Sequence, residues 1–231
     1  LHMKEAIRIA LLALLVTGLN SVTTAQDAST SIQFNALPKG KVVVPFKLVN
    51  NLVIIQLQIN DSSPLNFILD SGVKRTLISE LPVDEQLTLF QVEKVSVRGL
   101  GGDEPIYGYR SPSNGLKISN TRVHASNAEV IVLERDLLHL SKLMGTYVHG
   151  IIGYDLFSSF MIEIDYGKKQ IVLYEYNDYS KINRLSRSRI WHQMPLIVEE
   201  DKAFVSVPFK HAYSSTKKSV KLLLDTGSSG A

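Results

Sequence analysis

Two stretches of this chain end in the same way. Phe67-Ile68-Leu69 runs into Asp70-Ser71-Gly72, and Leu222-Leu223-Leu224 runs into Asp225-Thr226-Gly227. The likeness extends upstream. Pro45-Phe46, a strand-like segment and a turn precede the first acidic loop; Pro195-Leu196, the segment Ala203 to Phe209 and a turn precede the second. An internal repeat constrains the fold more than composition does, because both copies must suit one architecture. An Asp-Ser/Thr-Gly tripeptide alone is weak, since Asp, Ser and Gly are favoured in turns for their own reasons. Two of them, each behind three apolar residues and at matching points of a repeat, are much harder to dismiss as turns.

The chain between the loops reads as short strands punctuated by turns. Ile55-Gln56-Leu57-Gln58-Ile59-Asn60 alternates as a half-buried strand does, and Asp61-Ser62-Ser63-Pro64 makes a turn. Leu65 to Leu69 returns as a buried strand that delivers Asp70 at its end. Val95 to Arg98 and Ile106 to Tyr109 flank Gly99-Leu100-Gly101-Gly102-Asp103, which predicts a second hairpin with a mobile tip. Leucines at 133, 137, 140 and 143 predict a helix within 133–144, and a short helix is expected after Gly153, running through Phe160. Met161 to Asp165 and Gln170 to Tyr174 predict a third hairpin around 166–169. Strand dominates, so a mostly β fold is expected.

The N-terminus bears on the compartment. Met3-Lys4-Glu5 and Arg8 flank an apolar run from Ile9 to Val16, and Ser21 to Ala25 makes a small polar exit. This predicts a signal peptide over 1–25, cut after Ala25; the apolar run is too short to span about 30 Å of hydrocarbon. With no cysteine, no disulfide framework supports an exported fold, and no lipid is attached through a cysteine at the cleavage site. A periplasmic or secreted bacterial protein is expected, without a stable membrane anchor after cleavage. The net charge of +3 is spread along the chain, which argues against a nucleic-acid partner.

With its paired acidic loops behind apolar strands, the chain resembles the bacterial retropepsin-like aspartyl proteases, relatives of retroviral proteases and pepsin. The resemblance covers roughly Lys41 to Tyr174, with a partial second copy from about Ile190. It implies a closed β-barrel of the acid protease type: a flexible segment at 26–40, lobe 1 at 41–176, a linker at 177–189, and at 190–231 the truncated start of lobe 2. It further implies an aspartic endopeptidase that takes a polypeptide substrate and needs no cofactor. By position Asp70 and Asp225 are the catalytic pair, Ser71 and Thr226 brace the two loops, and Gly72 and Gly227 let backbone amides approach the carboxylates. Ile151-Ile152-Gly153 matches the apolar-apolar-Gly segment that supports the first loop. The hairpin with Gly101 and Gly102 stands where the family carries a flap, so that Tyr107 or Tyr109 would touch substrate.

The chain departs from the family pattern in one place. Val73 follows the first glycine, where a small residue is usual; the second loop keeps Ser228 there. A noncatalytic module that holds peptides or envelope ligands on the same fold is therefore the alternative. Two dyads also stay open, Asp70 with Asp225 in one chain or Asp70 with its mate in a homodimer. The histidines at 2, 124, 139, 149, 192 and 211 show no metal-ligand spacing, and neither a nucleophile elbow nor a phosphate loop is present.

Overall fold

The computed structural model describes residues 34–35, 40–97, 106–175, 184, 187, 194–210 and 217–228. The expected signal peptide, most of the expected linker and the hairpin tip with Gly101 and Gly102 lie outside the described residues. The first unit runs β1 (Lys41–Pro45), β2 (Lys47–Val49), β3 (Leu52–Ile59), β4 (Leu65–Leu69), β5 (Thr76–Ile78), β6 (Glu93–Val97), β7 (Ile106–Ile118), β8 (His124–Leu133), α1 (Leu140–Met144), β9 (Gly150–Ile152), α2 (Tyr154–Ser159), β10 (Phe160–Asp165) and β11 (Gln170–Glu175). The second holds β12 (Leu196–Glu199), β13 (Lys202–Lys210) and β14 (Lys217–Leu223).

Six strands close into a mixed barrel in the order β3-β4-β9-β5-β8-β7, with β2 and β6 flanking it. Closure depends on the length of β3. Its residues 54–57 pair with β4, and its far end, Leu57 to Ile59, pairs with Ile118 to Leu116 of β7. The β4/β9 and β5/β8 pairs are parallel and the other pairs antiparallel. Val53, Ile55, Leu57, Ile59, Phe67 and Leu69 fill the interior at 0–1% exposure. Side chains of this size contribute about 1.5–3 kcal/mol each on burial. The cysteine-free first unit thus has a substantial core of its own.

A second sheet, β1-β11-β10, packs on the same core through Val44, Ile171 and Leu173. The pairing of β1 with β11 joins residues about 130 apart in sequence, from Lys41↔Tyr174 to Pro45↔Gln170. Phe34 and Asn35 fall inside the segment expected to be flexible, yet Phe34 is buried in the core against Phe160, and the Asn35 amide donates to the His124 carbonyl at 2.7 Å. An aromatic side chain in the core holds those two residues in place.

The three predicted hairpins form, and so does the short helix after Gly153. The helix expected within 133–144 shrinks to Leu140–Met144. Leu133 instead ends β8 in the core. The Asp136 carboxylate accepts from the His139 amide at 2.9 Å and from the Ser79 hydroxyl at 2.5 Å, and His139 takes a left-handed conformation with φ 47. A side-chain-capped turn with positive φ interrupts a helix that leucine spacing alone would allow.

In the second unit, β12, β13 and β14 form a three-stranded antiparallel sheet. It repeats β2, β3 and β4 in order, each set opening with a two-residue turn at positive φ: Asn50 and Asn51 at 48 and 62, Glu200 and Asp201 at 51 and 60. Its apolar side chains are far more exposed than those of the barrel: Leu222 is 48% and Leu224 45% exposed.

Candidate active site

β4 carries the chain across the barrel and releases it at Asp70. The strand is held from the side by β9, which runs parallel to it in the register Phe67↔Gly150, Ile68↔Ile151 and Leu69↔Ile152. The last rung is the Asp70 amide donating to the Ile152 carbonyl at 3.0 Å. Close approach at this point requires glycine. A Cβ on Gly150 would lie 2.0 Å from the Leu77 carbonyl oxygen, and one on Gly153 would lie 2.2 Å from that of Val73. The Val73 carbonyl in turn accepts the Tyr154 amide at 2.7 Å, fastening the exit of the loop to the start of α2. Ile151, Ile152 and Gly153 are therefore structural supports of the first loop.

The second loop leaves β14 and meets the first. The Ser71 hydroxyl donates to the Leu224 carbonyl at 2.6 Å, and the Thr226 hydroxyl donates to the Leu69 carbonyl at 2.9 Å. The Ser71 amide donates to Thr226 Oγ1 at 3.0 Å, and the Thr226 amide to Ser71 Oγ at 3.2 Å. Each hydroxyl thus gives one bond and receives another across the junction, and Ser71 is 1% exposed. Inside each loop the glycine amide caps its own aspartate: Gly72 to Asp70 Oδ1 at 2.7 Å and Gly227 to Asp225 Oδ1 at 2.8 Å.

The glycines also set the separation of the carboxylates. A Cβ on Gly227 would fall 2.1 Å from Asp70 Cγ, and one on Gly72 would fall 3.2 Å from both Asp225 Cγ and Asp70 Oδ1. Glycine is required at 227 for the two acids to face each other across the loops, and at 72 a side chain would press on both carboxyls. Burial pushes the Asp70 carboxyl up from 3.8 to about 6, and the charge and hydrogen bond of Asp225 push it the same way. The Gly72 and Gly227 amides pull against this shift.

Residues 55–156, from β3 into α2, match a family model described as aspartyl protease. Over that span the chain is similar to aspartyl proteases. No curated protein matches the chain. The matched span contains the Asp70 loop and the Ile151-Ile152-Gly153 support; the Asp225 loop lies beyond it.

Val73, the departure from the family pattern, packs against the apolar cluster of Leu52, Ile54, Ile68, Met144, Val148 and Ile151. The hairpin expected to be a flap forms from β6 and β7, in the register Val97↔Ile106 to Glu93↔Arg110. Tyr107 is 45% exposed with Lys94 Nζ 5.1 Å from its ring centre, and Tyr109 is half-buried opposite Lys94 and Val132. Among the described residues no group of three His, Asp or Glu is placed to hold a metal ion.

Two charged features escape a sequence reading. Arg75, three residues past Gly72, reaches Glu129 of β8 at 3.1 Å and Asp155 of α2 at 3.3 Å. Glu129 also binds Arg110 of β7 at 2.7 Å, and Arg110 pairs with Glu93, so a row of charges joins the loop exit to the base of the β6–β7 hairpin. Lys74 reaches Asp201 of the second unit at 2.7 Å. The only signal for either was the placing of two cations directly behind an acidic loop.

Proposed function

We propose that the protein is an aspartic endopeptidase that hydrolyses peptide bonds with a water molecule activated by Asp70 and Asp225. The observation that carries this reading is the reciprocal hydroxyl bonding of Ser71 and Thr226, which brings the two acidic loops face to face. Two carboxyl groups so placed favour one shared proton over two charges. The ionised member takes a proton from the water as its oxygen attacks the peptide carbonyl carbon. The protonated member donates its proton to the carbonyl oxygen, giving a neutral tetrahedral diol. Breakdown of the diol returns a proton to the departing nitrogen and frees a carboxylic acid and an amine.

The substrate in this reading is a polypeptide, drawn under the β6–β7 hairpin. The second carboxyl comes from the same chain, with β12–β14 as the beginning of a second lobe. The leader-like residues 1–25 support export to the periplasm or the exterior. The noncatalytic alternative drew on Val73, and the packing of that side chain on the apolar cluster counts against a crowded loop.

The test is cleavage of a denatured protein across pH by the wild type and by Asp70→Asn and Asp225→Asn. Loss of cleavage in both variants is expected. Cleavage that survives both substitutions would end the proposal, and no cleavage by the wild type at any pH would favour the binding module.

A further inference from the structure

The bonds between the two acidic loops are close to symmetric, and that symmetry has a consequence. Ser71 and Thr226 play the same part, each donating to a strand-end carbonyl and each accepting an amide. A second copy of the Asp70 loop could therefore satisfy the first as well as the Asp225 loop does. The grip holds a partner without choosing it.

Lys74 is placed to make the choice. Its Nζ lies 2.7 Å from Asp201 Oδ2, and among the described residues this is the only ion pair that joins the first unit to the second. Asp201 is the second residue of the turn between β12 and β13, with φ 60. The matching position in the first unit is Asn51, the second residue of the turn between β2 and β3, with φ 62. The two turns share positive φ at both residues and differ in charge: Glu200-Asp201 in one, Asn50-Asn51 in the other. Two first units meeting about a two-fold axis would set each Lys74 against a neutral Asn51. Meeting the second unit sets Lys74 against Asp201, with Glu200 beside it.

We infer that Lys74 and Asp201 are a pairing code that selects the second unit of this chain, rather than a second copy of the first unit, as partner of the Asp70 loop. This rests on the two-loop reading of the site given above. Lys74 and Asp201 are positioning residues: they touch no reacting atom and act through the register of the two loops. Charge complementarity at a part-exposed position adds little affinity but discriminates between partners, because the wrong partner leaves the cation unanswered. With side chains 43% and 35% exposed, the pair is open to screening by salt.

The experiment compares full-length wild type with Lys74→Glu, Asp201→Lys and the double swap, at low and at high salt. Thermal midpoint, mass by sedimentation and kcat/KM are read for each. Either single reversal is expected to lower kcat/KM about two- to fivefold at low salt, with a matching fall in Tm. The swap should restore both, high salt should shrink every difference, and the wild type should sediment as a monomer. A swap no better than the two single effects combined would overturn the inference, as would a wild-type dimer whose mass Asp201→Lys leaves unchanged. Coupling in Tm without any cleavage would keep the pairing and remove the peptidase. Cleavage that depends on Asp70, with uncoupled single variants, would remove the pairing alone.

Discussion

Asp70 and Asp225 end the same kind of strand and carry the same internal cap, an amide two residues on at 2.7 and 2.8 Å. Their surroundings differ. Asp70 is half-buried at the edge of a closed barrel, with β9 alongside its strand, whereas Asp225 is exposed at the end of a three-stranded sheet. Asp70 is driven up to about 6, and burial is the largest cause. The tripeptide thus writes the conformation of the loop, and the fold around it sets the proton affinity.

The largest effect should come from removing either carboxylate. Asp70→Asn and Asp225→Asn are each expected to lower kcat about a thousandfold or more, since in the proposed mechanism each acid performs a proton transfer that the other cannot. Near-normal turnover in Asp225→Asn would make the difference in burial a difference in role as well.

Next come the glycines. Gly227→Ala drives a methyl to 2.1 Å from Asp70 Cγ and must push that carboxyl aside, whereas Gly72→Ala meets its nearest atoms at 3.2 Å. Turnover should fall about a hundredfold in the first and clearly less in the second, because misplacement by about 1 Å is enough for such a loss. Equal losses would mean that the loops readjust together.

The pH dependence sharpens the comparison further. An acid whose pKa is raised on folding favours the protonated native state, so its stabilising contribution is complete below 3.8 and is lost as pH rises through about 6. Asp70→Asn stays neutral throughout. It should therefore raise Tm by about 2–4 °C above pH 6 and by nothing below 3.8, as measured by calorimetry across pH. On the proposed mechanism the wild-type kcat/KM should fall as pH passes about 6, where Asp70 loses its proton.

The smallest effects are those of the bracing hydroxyls. Ser71→Ala leaves the Thr226 amide and the Leu224 carbonyl unanswered in a site where Ser71 is 1% exposed, at a cost of about 1–3 kcal/mol. Thr226→Val, in the more open loop, should cost about 1 kcal/mol by denaturant unfolding.

Much of this was legible in the sequence, for a physical reason. Local hydrophobic period and turn chemistry specify hairpins, so the three hairpins and the strand that ends at Asp70 could be read directly. Leu52 to Ile54 could not be assigned so easily, because three buried residues in a row break the alternation on which the reading of β3 relied. The leucines from 133 to 143 misled for the opposite reason. Their spacing is helical, but the Asp136 turn and the left-handed His139 cut the helix short. The parallel β4/β9 and β5/β8 rungs and the β1/β11 pairing were out of reach, since nothing in a single sequence ties strands so far apart. At the site, the acids, hydroxyls and glycines were visible as a repeated motif. The cations of Lys74 and Arg75 found their partners only in the folded chain.

The reading rests most directly on Asp225 standing close enough to Asp70 to raise its proton affinity, and carboxyl carbon NMR of Asp70 reads that without a substrate. The resonance that disappears in Asp70→Asn should titrate near 6 in the wild type. In Asp225→Asn its midpoint should fall, while burial keeps it above 3.8. A midpoint near 3.8 in the wild type, or one that Asp225→Asn leaves unmoved, would contradict the account.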